Sequence, residues 1–136
     1  MLEAKLKHLE FIQGIINRMA ANSFSLKTWA VTIVSAIIVL ATKDGYPRAI
    51  PVAWVPIVLF WFLDAYFLRM ERIYRGIYAV VADKTEAEID FELSPAGYDV
   101  KVKSYAATML SITLGTFYGG LFVAVLALYC VCRSCR

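Results

Sequence analysis

The stretch FWFLDAYFLRMERIYRGIY, residues 60–78, decides how this chain is read. An aspartate, Asp64, sits inside an apolar run, and Arg69, Arg72 and Arg75 then follow at three-residue spacing among Met70, Ile73 and Tyr74. A voltage-sensing ladder needs its arginines inside the membrane field, but here the apolar run ends at Leu68, before the first of them. The pattern is that of a helix leaving the bilayer through a basic collar and continuing to about residue 82. Glu71 and Arg75, four apart, support that helix. Asp64 remains unexplained by anchoring. A charge at mid-bilayer costs about 2.5–3.5 kcal/mol on insertion scales, less near the interface, so it wants a partner.

The rest of the chain agrees with a membrane. Of its 136 residues 60% are hydrophobic and only 18% charged, and the mean hydropathy is +0.63, well to the apolar side of soluble domains. Residues 26–42 form a first span; a helix from Ser25 to Thr42 would be about 27 Å long. KDGYPR follows as a turn. The second span covers roughly 49–68, with Pro51 in its first turn and a kink expected at Pro56. The third, residues 105–131, carries no charge. Antiparallel packing of the first two spans brings Lys27 beside Asp64 as its expected partner.

Ahead of the spans, residues 1–24 read as an amphipathic helix with Leu2, Leu6, Leu9, Ile12, Ile16 and Met19 at three- and four-residue steps. It lies in the membrane interface or packs on the chain's own cytoplasmic parts. Asn22, Ser23 and Ser25 offer stop and restart signals. With charges at Glu3, Lys5, Lys7, Glu10 and Arg18, this segment lacks the continuous apolar core of a cleavable signal peptide.

Between spans two and three, in residues 84–104, the period changes to two. Ile89, Phe91 and Leu93 alternate with Glu88, Asp90 and Glu92; after SPAG, Tyr98, Val100 and Val102 alternate with Asp99, Lys101 and Lys103. This predicts a β-hairpin with Asp90 opposite Lys101 and Glu88 opposite Lys103. A lone hairpin is marginal, so its apolar face needs a cover. The expected architecture is thus an α-helical integral membrane protein: three transmembrane helices, an N-terminal amphipathic helix and a small cytoplasmic β-hairpin. The transmembrane helical hairpin occupies 25–83, and the third span with its tail 105–136.

Basic residues orient it. Lys5, Lys7, Arg18 and Lys27, with Arg69, Arg72, Arg75, Lys84, Lys101 and Lys103, outnumber Lys43, Arg48, Arg133 and Arg136 by ten to four. The positive-inside rule then puts the N-terminus and the hairpin in the cytoplasm and the C-terminus outside. In the third span, Ser111, Gly115 and Gly119, and Thr116 and Gly120, form small-residue stripes that serve packing within the chain or between subunits. Thr28, Thr32 and Ser35 make a hydroxyl seam that either meets water in an oligomer or bonds to its own helix.

Catalytic chemistry is thin. The single histidine, His8, reads as a surface residue, and neither a phosphate-binding glycine loop nor paired metal ligands are present. No enzyme, cofactor or metal is expected. Cys130, Cys132 and Cys135 read as small apolar residues at the membrane exit. Acylation, a disulfide and a soft-metal site without a visible fourth ligand are the other options. No basic face carries exposed stacking aromatics, which argues against nucleic acid.

FIQGIINRMAANSFSLKTWAVTIVSAI and FWFLDAYFLRMERIYRGIY together resemble a group of small bacterial multi-span proteins, many encoded beside signalling or anti-phage defence genes. The resemblance covers roughly residues 11–78, through Asn22, Ser23, Lys27, Trp29, Asp64, Tyr66, Glu71 and Arg72, with a weaker echo in SITLGTFYGG. The three-cysteine tail departs from it. It implies an oligomeric inner-membrane effector that permeabilises or depolarises the membrane on a cytoplasmic signal, from a protein or a nucleotide. Arg69, Arg72, Arg75, Lys101 and Lys103 would meet phosphates of that ligand or, as the favoured reading, of lipid headgroups. A non-pore scaffold for a cytoplasmic partner is the alternative. A small transporter comes third, since internal repeats are lacking.

Overall fold

The computed structural model describes residues 2–43 and 45–134, with the side chains of Leu2 and Val100 excepted. Helix α1 (Leu2–Lys43) and helix α2 (Trp54–Asp83) are joined by a turn at Gly45 and a 3₁₀ segment, Pro47–Ala53. A short helix α3 (Tyr105–Met109) and a long α4 (Ile112–Ser134) follow. Three helical stretches, Glu3–Lys43, Pro47–Asp83 and Ile112–Ser134, are long and apolar enough to cross a membrane.

α1 runs through Asn22 and Ser25 without interruption, where the sequence predicted a stop and restart. The reason is its seam. His8, Ile12, Ile16, Ser23, Leu26, Ala30, Val34 and Ala41 are all buried, at helical spacing on both sides of that point. The capping residues sit within a helix already held by packing. At about 1.5 Å per residue its 42 residues reach about 63 Å, twice a hydrocarbon core of about 30 Å.

Two cores result. In the bundle, Ala30, Val34, Ile57, Ala65, Leu114, Tyr118 and Val125 pack among the three long helices. Beyond it α1 and α2 continue as a stalk around Ile12, Ile16, Ile73, Ile77 and Val81. Trp29 and Tyr66 are exposed near the junction, the place where amphipathic aromatics meet headgroups.

Two expectations about the second and third spans are corrected. Pro56 does not kink a helix interior: it lies in the first turn of α2, where a missing N–H breaks no intrahelical bond. The third span is not one helix, since the chain breaks at Leu110–Ser111. There the Trp61 indole N–H donates to the Met109 carbonyl (2.9 Å), meeting an acceptor that the break leaves unpaired.

The largest correction concerns residues 84–104. Among the described residues this segment has no β-strand; it is an irregular strap with 3₁₀ turns at Glu86–Glu88 and Asp99–Lys101. The expected turn exists, with Tyr98 N–H donating to the Pro95 carbonyl (3.1 Å) and Gly97 at φ 85°. The ladder does not. Phe91 has φ 54°, incompatible with an extended strand, and Asp90 and Ser94 side chains accept from the nearby backbone N–H groups of Glu92 and Ala96. Asp90 pairs with Lys84 (3.0 Å) instead of Lys101. Ile89, Leu93, Tyr98 and Val102 pack on the stalk core. The alternation marked a half-buried face: Ile89, Leu93, Tyr98 and Val102 rest on the α1–α2 platform, which a lone two-stranded ribbon would lack, while Phe91 stays exposed. A hairpin in that register would also set Phe91 against Val100, whose side chain lies outside those described.

Around the strap, the Lys84 hydrogen bond holds the Asp90 carboxyl below its usual range, and the Thr85 hydroxyl and N–H do the same for Glu88. Asp90 in return raises Lys84. A depressed carboxyl stabilises the fold above its unfolded value and loses that contribution as pH falls through the folded one. Lys84 contributes below its unfolded value of 10.5 and loses it as pH rises through the raised one. The contributions of Asp90, Glu88 and Lys84 to amide protection in 86–93, corrected for intrinsic rates, should therefore stay constant through neutrality. Exchange there should accelerate below the ordinary Asp value of 3.8, and Asp90→Asn should remove part of that acid transition.

Candidate functional site: a buried polar network

Asp64 is fully buried, facing both α1 and α4. Its carboxylate takes three donors. Lys27 Nζ lies 2.5 Å from Oδ2, the Tyr118 hydroxyl donates to the same oxygen at 3.0 Å, and the Ser23 hydroxyl donates to Oδ1. Lys27 also donates to Ser23 Oγ (2.8 Å). Ser23 and Lys27 are one helical turn apart on α1, so a continuous helix is what aims both at Asp64. Lys27 is thus where antiparallel packing of the first two spans placed it.

Ser23 and Tyr118 were not foreseen as partners. Locally Ser23 reads as a capping residue at a helix break. The usable signal for Tyr118 was its hydroxyl in a chargeless span, since a buried phenol generally finds an acceptor. Trp61 stacks on Tyr118 at 6.0 Å between centroids and 10° between planes, fixing the ring that carries that hydroxyl.

Chemically this is a latch. A serine 2.8 Å from a lysine resembles a nucleophile with its base, but the ammonium paired with Asp64 has no lone pair to take a proton, and the serine proton is already given to the carboxylate. With charge neutralised and each carboxylate oxygen bonded, the group meets the condition for a buried ion pair to persist.

His8 is a second buried polar group, not the surface residue expected. Its Nε2 is 3.1 Å from the Glu92 carbonyl, an acceptor only, so Nε2 carries the proton. Nδ1 is buried without a partner, and Phe91 lies 5.3 Å away, centroid to centroid. Lys5 donates to the Ala82 (2.7 Å) and Lys84 (2.9 Å) carbonyls, a cation closing the end of α2. His8→Ala should release the strap locally by about 1–3 kcal/mol, read as faster amide exchange in 89–93 with the α4 amides unchanged.

The basic residues divide. Arg69 holds the strap's far end through the Asp99 (3.2 Å) and Lys103 (3.4 Å) carbonyls. Arg75 pairs with Glu71 at 2.8 Å. Lys101 sits 5.8 Å above the Tyr98 ring. Arg72 has no carboxylate partner among the described residues. Arg69, Lys101 and Lys103 thus gather at one end of the strap, and Arg75 lines a separate small cleft with Gln13, Ile16 and Tyr78.

On α4, a Cβ added at Gly119 or Gly120 would meet nothing within 4 Å, and one at Gly115 only the Leu110 backbone at 3.9 Å. Packing within the chain does not require these small residues. Ser111 Oγ is buried without a partner, and Thr116 bonds to its own helix at Ile112 (2.5 Å). Cys130 is exposed and Cys132 partly buried; Cys135 lies outside the described residues.

Fold and site together define a helical membrane protein in which a polar latch joins three helices at the base of a two-helix stalk. Comparison with family models, curated proteins and solved structures gives no match.

Proposed function

We propose that this chain is a bacterial inner-membrane anchor that presents a cytoplasmic stalk to a partner, with its C-terminus outside. The observation that carries this reading is the uninterrupted passage of α1 and α2 from the bundle into a separately cored stalk. Such a rod holds a surface at fixed height and orientation above the bilayer. The bundle surface fits lipid: in the hydroxyl seam Thr28 and Thr32 donate to their own helix at Phe24 and Thr28, as does Thr42 further along at Ile38, which leaves Ser35 as the seam's one exposed hydroxyl without such a bond among the described residues.

The second reading is the oligomeric effector, in defence or another stress response, that permeabilises the membrane when the stalk is engaged. It is favoured by the open small-residue face of α4, which suits close approach of a second copy. A potential-sensitive dye separates the two on induction of the full chain. An anchor leaves the membrane potential intact, whereas rapid depolarisation at expression levels that leave an unrelated three-span protein silent overturns the anchor reading.

A further inference from the structure

The end of the bundle opposite the stalk holds a feature that neither reading uses. Pro47 and Arg48 from the 3₁₀ segment face Tyr129, Cys132 and Arg133 from the last turns of α4 around a cleft of about 520 Å³. That volume falls within the roughly 300–1,000 Å³ of small-molecule sites. Arg48 and Arg133 come from different elements and are brought together by the fold. Neither pairs with a carboxylate among the described residues. Two guanidinium groups and a phenol at one opening present N–H and O–H donors with no carboxylate paired to them among the described residues, a donor set that fits a phosphate anion.

Its position narrows the source of that phosphate. The arginines stand where the apolar part of α4 ends, at headgroup depth for helices of this length. Further along α2, Trp54, stacked on Phe122 of α4 at 4.9 Å, begins a shallow, open apolar groove along Val55, Val58, Leu59 and Phe62. Such a groove suits hydrocarbon. We propose that the cleft of Arg48 and Arg133 is a binding site for the phosphodiester headgroup of an anionic phospholipid, with an acyl chain along the Trp54–Phe62 groove.

The full chain, reconstituted in nanodiscs of phosphatidylethanolamine with one-tenth phosphatidylglycerol, would be released into native mass spectrometry and its retained lipids counted. The unsubstituted chain should keep phosphatidylglycerol well above its share of the bilayer. Losing the charge-assisted hydrogen bonds of both guanidinium groups should make the R48Q/R133Q variant retain it at least about tenfold less. R48K/R133K should fall between, and Arg18→Gln, an exposed arginine on the stalk, should match the parent. No enrichment in the parent, or enrichment unchanged in R48Q/R133Q, overturns the site. A parallel arm without phosphatidylglycerol receives inorganic phosphate; a phosphate adduct there that R48Q/R133Q abolishes, with no lipid enrichment in the first arm, makes the ligand soluble and overturns the lipid assignment.

Discussion

Asp64→Ala should destabilise the helical bundle by about 3–5 kcal/mol, the cost of leaving one member of a buried ion pair unmatched. The substitution strands the Lys27 ammonium, whose side chain is only 20% exposed, and leaves the Ser23 and Tyr118 hydroxyls without their acceptor. Reversible unfolding in mixed detergent micelles reads the loss directly. K27M/D64L, which removes both charges, should recover most of it, because the desolvation cost vanishes with the attraction. Tyr118→Phe should cost only about 0.5–1.5 kcal/mol, one hydrogen bond among several. The charge swap K27D/D64K should rescue partially, since the Ser23 and Tyr118 hydroxyls are oriented to donate to position 64. If the swap is no better than Asp64→Ala alone, and a double-mutant cycle shows no coupling, the two charges do not act as a pair.

Ile73→Ala carries the second large effect, about 2–5 kcal/mol from lost burial and the cavity left behind. Ile73 is 1% exposed at the centre of the stalk core, packed with Ile12, Ile16 and Ile77. It also supports the platform under Ile89, Leu93, Tyr98 and Val102 of the strap. The effect should be regional: amide exchange in 86–104 should speed up while α4 keeps its protection, because the bundle core is a separate cluster. Equal acceleration in both regions would show that stalk and bundle open as one unit.

These expectations depend on parts of the structure that were unequally legible in the sequence. The spans were readable because lipid demands long apolar helices and little else competes. Lys27 and Asp64 were readable because two charges near the same end of antiparallel spans have few alternatives. The strap was misread for a specific reason. Period-two alternation reports that one side of a segment is buried, and it does not say against what. Strand pairing was one way to use that face; the α1–α2 platform was another, and Phe91 at φ 54° fits only the second. The break expected at Asn22–Ser25 failed similarly, since capping propensity of about 1 kcal/mol is outweighed by a buried seam running along the whole of α1.

His8 and Tyr118 mark the limit more sharply. Nothing local distinguishes a histidine under a strap from one in water, or a tyrosine aimed at a carboxylate from one at a lipid interface. By itself the sequence determined the membrane class, the approximate span positions and the need for a partner at Asp64, because each follows from the cost of exposing polar groups to hydrocarbon. The tertiary structure alone decided that Ser23 and Tyr118 complete the latch, that the strap lies on a stalk and that Arg48 and Arg133 line one cleft. Each of those joins residues far apart in the chain, and only packing geometry sets which of them come together.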